Sequence, residues 1–254
     1  MSGYVFENAA AILPYLEHPR TGVTSHFCSE IAKKLQCYVF AGYPEALKSG
    51  EPDTKGVSDN KLNGDRFEGV GANSAVLYGP GPEGEWIGGY RKTNLFETDK
   101  TWAKAGKLHI LLRVGSSLTE PSFFWNVKGT GFAVFNLPPP LRTVCLGICM
   151  DLNPQIRDWQ RQEGPYELVS HCLSNKVNLL VLLNAWLDSK EEPDEAHDWH
   201  TLNYWAGRLE PLWTDENSEV AAAKPPSTSK DDKHSSRETV VVVCNRNGEE
   251  NGQL

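Results

Sequence analysis

No apolar run in the 254-residue sequence is long enough to cross a bilayer. The longest, such as Leu179 to Leu183, fall far short of the roughly 20 residues that a spanning helix needs. A leader pattern is missing as well. Met1 is followed by Ser2, Gly3 and Tyr4 rather than by basic residues and an apolar stretch, so no secretion signal is expected. The six cysteines (Cys28, Cys37, Cys145, Cys149, Cys172 and Cys244) are irregularly spaced, and none forms a CxxC pair. In a chain of this length without a secretion signal they read as reduced thiols. A basic excess is lacking too. The 25 Lys+Arg against 33 Asp+Glu leave a formal net charge of −8 and a pI of about 5.4, which argues against general binding to nucleic acid or to anionic membrane. What is present is 39% hydrophobic residues, enough for one substantial core. The expectation is a soluble cytoplasmic protein.

Helix and strand signals alternate along the chain. Residues 24–36 space Phe27, Ile31 and Leu35 as a helix does, with Thr24 or Ser25 as N-cap. Cys37 to Ala41 follows as a short apolar strand stopping at Gly42, and residues 46–69 read as an exposed loop. Ala72–Tyr78 and Glu85–Tyr90 bracket a Gly/Pro-rich turn and predict a hairpin. Phe132–Asn136 and Arg142–Ile148 predict a second strand pair around Leu137-Pro138-Pro139-Pro140. Tyr166–Asn175 then reads as a helix, Val177–Asn184 as a buried strand, Trp199–Leu209 as a helix and Thr239–Asn245 as a final buried strand. Continuous apolar strands alternating with helices imply an α/β protein whose sheet is covered by helices. Residues 216–238 are polar and nearly free of large apolar side chains, which predicts a flexible surface insertion. No internal repeat is present.

Two residues stand out chemically. Cys149 ends the apolar strand Thr143–Ile148 and precedes the polar turn residues Asp151, Asn153 and Pro154. A cysteine there either fills the core as a small hydrophobe or presents its sulfur to backbone N–H groups that lower its pKa and stabilise an oxyanion. Lys92 ends the hairpin's second strand and could bring positive charge to the same sheet edge, although most lysines are simply solvated.

Together these residues match a family. Gly-Tyr-Arg-Lys-Thr-Asn-Leu-Phe-Glu at 89–97 resembles the lysine motif of the carbon–nitrogen hydrolase (nitrilase) superfamily, and Leu-Gly-Ile-Cys-Met-Asp-Leu at 146–152 resembles its nucleophile motif. GICMDLNP (147–154), LLNAWL (182–187), TLNYWAGRLEPL (201–212), VVVVCNRNGEENG (240–252) and EIAKKLQCYVFAGYPE (30–45) are similar to segments of the fungal protein N-terminal amidases within that superfamily. The resemblance runs from about Gly3 to Gly252, nearly the whole chain. It implies a four-layer αββα sandwich forming a single domain over 1–254, no cofactor, and a Glu–Lys–Cys triad. Cys149 would be the nucleophile, and Lys92 would stabilise the tetrahedral intermediates with a backbone N–H near Met150. The implied substrates and partners are proteins or peptides bearing N-terminal Asn or Gln, whose side-chain amides become Asp or Glu and can mark the protein for degradation. A monomer or a homodimer fits.

The triad glutamate belongs to a Pro-Glu motif ahead of a Ser/Thr-Gly-Tyr segment. Ser2-Gly3-Tyr4 matches that segment directly after Met1, so the first strand and its glutamate are expected to be absent, as is sheet beyond Gln253-Leu254. Glu45 matches the end of the family's second strand and Glu7 a helix start, and neither is expected to be the base. Glu97 is a candidate for orienting the lysine or substrate, or a solvated loop acid. Asp151 either binds the substrate's amino group or caps the following turn. Asn184 and Trp186 end a strand at the same sheet edge, where ligands are commonly held, and Trp186 is either pocket wall or core. His197, Asp198 and His200 lack a third ligand of clear geometry, so no metal is expected. Cys145 shares a strand face with Cys149 without reason to pair, and Arg157–Arg161 reads as an exposed helix or loop. Two other readings stay open: a small-molecule amidase or nitrilase, and a catalytically silent chain that only binds partners.

Overall fold

Alternate residues of one strand build two cores. In β2 (Gly71–Gly79), Ala75 and Leu77 face one way and Val76 and Tyr78 the other, as the two-residue period of a strand requires. The computed structural model describes residues 6, 8–47, 69–106, 131–154, 164–191, 196–214 and 239–248. Glu7, the Ser2-Gly3-Tyr4 segment, most of the loop at 46–69, the Arg157–Arg161 stretch, the insertion at 216–238 and the C-terminal residues from Glu249 lie outside them.

Strand β2 is the middle of a three-stranded antiparallel sheet, flanked by β1 (Val39–Ala46) and β3 (Glu85–Arg91). A second sheet has the order β4 (Ala133–Asn136), β5 (Thr143–Ile148), β6 (Leu179–Asn184), β7 (Val240–Asn245). Here β4 is antiparallel to β5, and the β5–β6 and β6–β7 pairs are parallel. Ala75 and Leu77 join Phe135, Val144 and Leu146 in one core between the sheets. On the far side of the first sheet, Val76, Tyr78 and Tyr43 receive Cys28 and Ala32 of helix α2 (Val23–Leu35). The short α1 (Ala9–Ile12) precedes it. On the far side of the second sheet lie α3 (Glu167–Ser174) and α4 (Trp199–Leu209). Leu168 and Cys172 pack there, and a side chain at Gly147 would strike Leu168 and Leu182. Helix, sheet, sheet and helix make the four αββα layers expected.

The hairpin, the strand pair and the four helical or strand stretches downstream occupy nearly their predicted places. Three local expectations are corrected. Phe27 and Leu35 of α2 are 62% and 67% exposed, and the helix instead buries Ser25, Cys28 and Ala32. Large aromatics already rise from the sheet at Tyr43 and Tyr78, so the helix approaches through its small face. Its N-terminus is capped from outside: Gly22 holds the cap position, and the Glu17 carboxylate accepts from the Thr24 N–H (2.7 Å) and hydroxyl (2.7 Å). An acid there also meets the positive end of the helix.

Second, β1 does not stop at Gly42 but runs to Ala46 through Pro44. Glu17 bonds the Pro44 carbonyl (2.8 Å) and the Ala46 N–H (2.8 Å) on the side away from β2, so the N–H missing from Pro44 belongs to the outer edge and no β2 ladder bond is lost. Third, β7 is only half buried. Val241 and Val243 pack against the core, but Val240 and Val242 are 58% and 47% exposed on the opposite face.

Helix α4 is capped by Asp198, which accepts from the Thr201 N–H (2.9 Å) and from the Ser189 N–H (2.8 Å) and hydroxyl (2.7 Å). Burial works against its charge, but these donors outweigh it and hold the carboxyl at about 2. A carboxyl lowered on folding stabilises above its ordinary value of 3.8 and loses that contribution as pH falls toward 2. Asp198→Ala is therefore expected to cost about 1 kcal/mol near neutrality. In urea denaturation its gap from the parent should narrow below pH 3.8 and close as pH falls through about 2; a gap independent of pH would contradict the cap's ionic character.

Candidate active site

The sharpest backbone feature at the sheet edge is Cys149. Its φ of +48° places a non-glycine residue in the left-handed region, a strain of order 1–3 kcal/mol that persists only where surroundings enforce it. Here the chain turns from β5 into the short 3-10 turn Cys149–Leu152. The turn is held from both sides. The Cys149 N–H donates to Asn184 Oδ1 (3.1 Å) at the end of β6, and the Ile148 N–H donates to Asp151 Oδ2 (2.8 Å).

Asp151 is buried and joins the Cys149 turn to the segment after β3. Besides Ile148, it accepts from the Tyr90 hydroxyl (2.7 Å), the Thr93 N–H (3.2 Å) and hydroxyl (3.1 Å), and the Asn94 N–H (3.0 Å). Five donors fill the acceptor positions of one carboxylate. With five donors on its two oxygens, one of them the Ile148 N–H, Asp151 closes the Cys149 turn in the capping role, one of its two readings. Burial pushes its carboxyl up, against the pull of the Asn94 amide and of Lys92. Asn94 adds a second clasp, its Nδ2 donating to the carbonyls of Met150 (2.7 Å) and Asn153 (3.2 Å).

At the end of β3 the alternation separates two basic residues. Arg91 turns to the helix side and bonds Glu45 through Nη2 (2.7 Å) and Nε (2.9 Å), while Ser74 also donates to Glu45 (2.7 Å). Glu45 therefore stands on the α2 side of its sheet, away from Cys149. Lys92 turns inward and is fully buried. Its Nζ meets Asp99 Oδ2 at 2.7 Å, and Asp99 also accepts from Asn73 Nδ2 (2.9 Å) and the Phe96 N–H (3.0 Å). The carboxylate that holds Lys92 is thus Asp99. Glu97, read as the candidate for that task, points to solvent and pairs with Lys100. A buried lysine demands a counter-charge, which was the available signal for Asp99; choosing it over Glu97 two residues earlier needed the chain's path.

Cys149 is buried, with the Ala185 backbone placed to favour its thiolate. Burial pushes the thiol above its ordinary value, the Lys92 ammonium and the Ala185 N–H pull it back, and Asp99 and Asp151 push it further up. The net direction is upward, so the resting group is a thiol. Lys92 and Asn184 thus gather at Cys149. Trp186 lies two residues beyond Asn184, half-buried, against Tyr204 (ring centroids 5.7 Å) and edge-on to Trp205 (5.8 Å). Its N–H donates to Asn245 (2.8 Å). Arg208 was not singled out in the sequence, yet it is buried and ties α4 to the Cys149–Leu152 turn, donating to the carbonyls of Leu152 (3.1 Å) and Pro165 (2.7 Å). His197 stacks edge-on against Trp199, and Asp198 is spent as a helix cap. Cys145 faces Cys172 of α3 in a thiol–thiol hydrogen bond. Among the described residues no helix is long and apolar enough to cross a membrane.

No protein-family profile matches the chain. The protein N-terminal amidase of Schizosaccharomyces pombe is 28% identical over 270 residues, covering 99% of this chain and 71% of that protein. The protein N-terminal amidase of Saccharomyces cerevisiae is 29% identical over 195 residues, covering 77% of this chain and 36% of that protein. A crystal structure of N-terminal amidase with an Asn-Glu-Ala peptide has a TM-score of 0.49 at 23% identity, covering 83% of this chain and 42% of that one. The chain thus spans between about a third and seven-tenths of the length of these relatives.

Proposed function

We propose, on the premise that this chain is a relative of the carbon–nitrogen hydrolases, that it is an amidohydrolase converting N-terminal Asn or Gln of proteins and peptides to Asp or Glu through Cys149. The observation that carries this reading is the buried Cys149 at a strained strand end with the Lys92 ammonium acting on it. The name of both relatives, protein N-terminal amidase, supports an amide at a protein N-terminus as the bond attacked.

In the proposed reaction the thiol proton leaves to a base, and the sulfur adds to the side-chain amide carbon while the carbonyl π pair moves to oxygen. Lys92 and the Met150 N–H stabilise the oxyanion. The amide nitrogen takes a proton and departs as ammonia, leaving a thioester on Cys149. Water then adds, the sulfur leaves with a proton, and a carboxylic acid is released. A new N-terminal Asp or Glu is a signal that can commit a protein to degradation.

One observation favours a second reading. Among the described residues, the carboxylates that act on the Cys149 thiol are Asp99, bound to Lys92, and Asp151, bound by five donors. Neither is free to accept the thiol proton, which suits a chain that binds Asn- or Gln-initiated peptides without turning them over.

Incubation with Asn- and Gln-initiated peptides decides between the two. Released ammonia with conversion to the acid supports the hydrolase, saturable binding without ammonia supports the silent binder, and neither would sink both. Turnover of free glutamine or simple nitriles in place of peptides would move the reading to a small-molecule amidase.

A further inference from the structure

Asn184, only 6% exposed, sits at the end of β6 directly against the Cys149 turn. Its orientation follows from its partner. Cys149 offers an N–H, so the amide must turn its oxygen to that group, and the NH2 end is left pointing elsewhere. Among the described residues Nδ2 has no hydrogen-bond partner. A buried donor without an acceptor costs about 1–3 kcal/mol. The end of β6 thus holds the Cys149 backbone and keeps one donor unspent beside it.

We propose that Asn184 Nδ2 is a substrate donor, bonding the carbonyl oxygen of the amide that Cys149 attacks, while Oδ1 of the same side chain holds the nucleophile's backbone. One side chain thereby couples the strained Cys149 conformation to the oxygen on which negative charge develops, adding a donor to those of Lys92 and Met150. The inference rests on the proposed amidohydrolase reading and deepens it.

The test uses a peptide whose N-terminal residue carries a side-chain aldehyde in place of the amide. The Cys149 sulfur adds to the aldehyde carbon, the carbonyl π pair moves to oxygen, and the thiol proton ends on that oxygen, giving a reversible hemithioacetal that requires no turnover. Asn184→Asp keeps an oxygen for the Cys149 N–H and loses the donor, whereas Asn184→Ala loses both. The reaction of Cys149 with a small neutral disulfide gives the reactivity of the sulfur alone. Affinity for the aldehyde, taken relative to disulfide reactivity, should fall about 10- to 100-fold in Asn184→Asp. A ratio unchanged in Asn184→Asp but lowered in Asn184→Ala would make Asn184 merely structural and overturn the inference alone. A parent protein that forms no Cys149 adduct, with Cys149→Ala as the blank, would overturn the amidohydrolase reading and this inference with it.

Discussion

Cys149→Ser is expected to lower ammonia release from Asn- or Gln-initiated peptides by on the order of 10⁴-fold or more. The change removes one polarisable sulfur and nothing else. Serine keeps the backbone N–H that bonds Asn184, so the strained turn at φ +48° and its supports stay in place. A hydroxyl, however, ionises far less readily than a thiol, and burial at this position already works against the anion. The comparison is made by mass spectrometry of the peptide product, with circular dichroism showing that the variant is folded. Undiminished turnover would remove Cys149 from the mechanism. The direction of the thiol shift adds a pH signature. Because the group is raised above the ordinary thiol value, alkylation of Cys149 should keep accelerating through the alkaline range. The six cysteines are told apart by peptide mapping of the alkylated protein.

Lys92→Met is expected to destabilise the fold by about 3–5 kcal/mol, because it leaves Asp99 as an uncompensated buried charge. The pair sits at 2.7 Å with both side chains withdrawn from solvent, 0% and 1% exposed. Asp99 retains Asn73 and the Phe96 N–H, which soften but do not replace a lost cation. Lys92→Met combined with Asp99→Asn should recover most of the loss, since Asp99 is then neutral and needs no cation. Urea denaturation of the two single variants and the double variant closes the cycle. A Lys92→Met loss under about 1 kcal/mol would mean that Asp99 takes up a proton or reaches water, and the buried pair would then not organise the site.

The predicted elements emerged in nearly their predicted places because their signals are local. TVCLGI, LLVLLN and TVVVVCN are apolar runs of strand length bounded by turns or polar residues, features that favour buried strands and lie within each segment itself. Which way a side chain points is not local. Phe27 and Leu35 make the more hydrophobic stripe of α2, yet the small stripe of Cys28 and Ala32 is buried. The sheet beneath already carries Tyr43 and Tyr78, and only a thin helix face fits above them. Arg91 and Lys92 are adjacent and similar in charge, but strand alternation sends one to Glu45 on the helix side and the other to Asp99 in the interior.

From residues alone came the α/β class and the alternation of elements, which depend on a hydrophobic period that a linear chain displays. Cys149 with Lys92 became the candidate pair through the family resemblance of the motifs around them. Tertiary structure decided which acid serves which partner. Asp99 rather than Glu97 holds the lysine, Asp151 is consumed by five donors, and Asn184 meets the nucleophile's N–H. A carboxylate's or amide's task is set by which donors fold to within about 3 Å of it, and that distance exists only once separate strands share an edge.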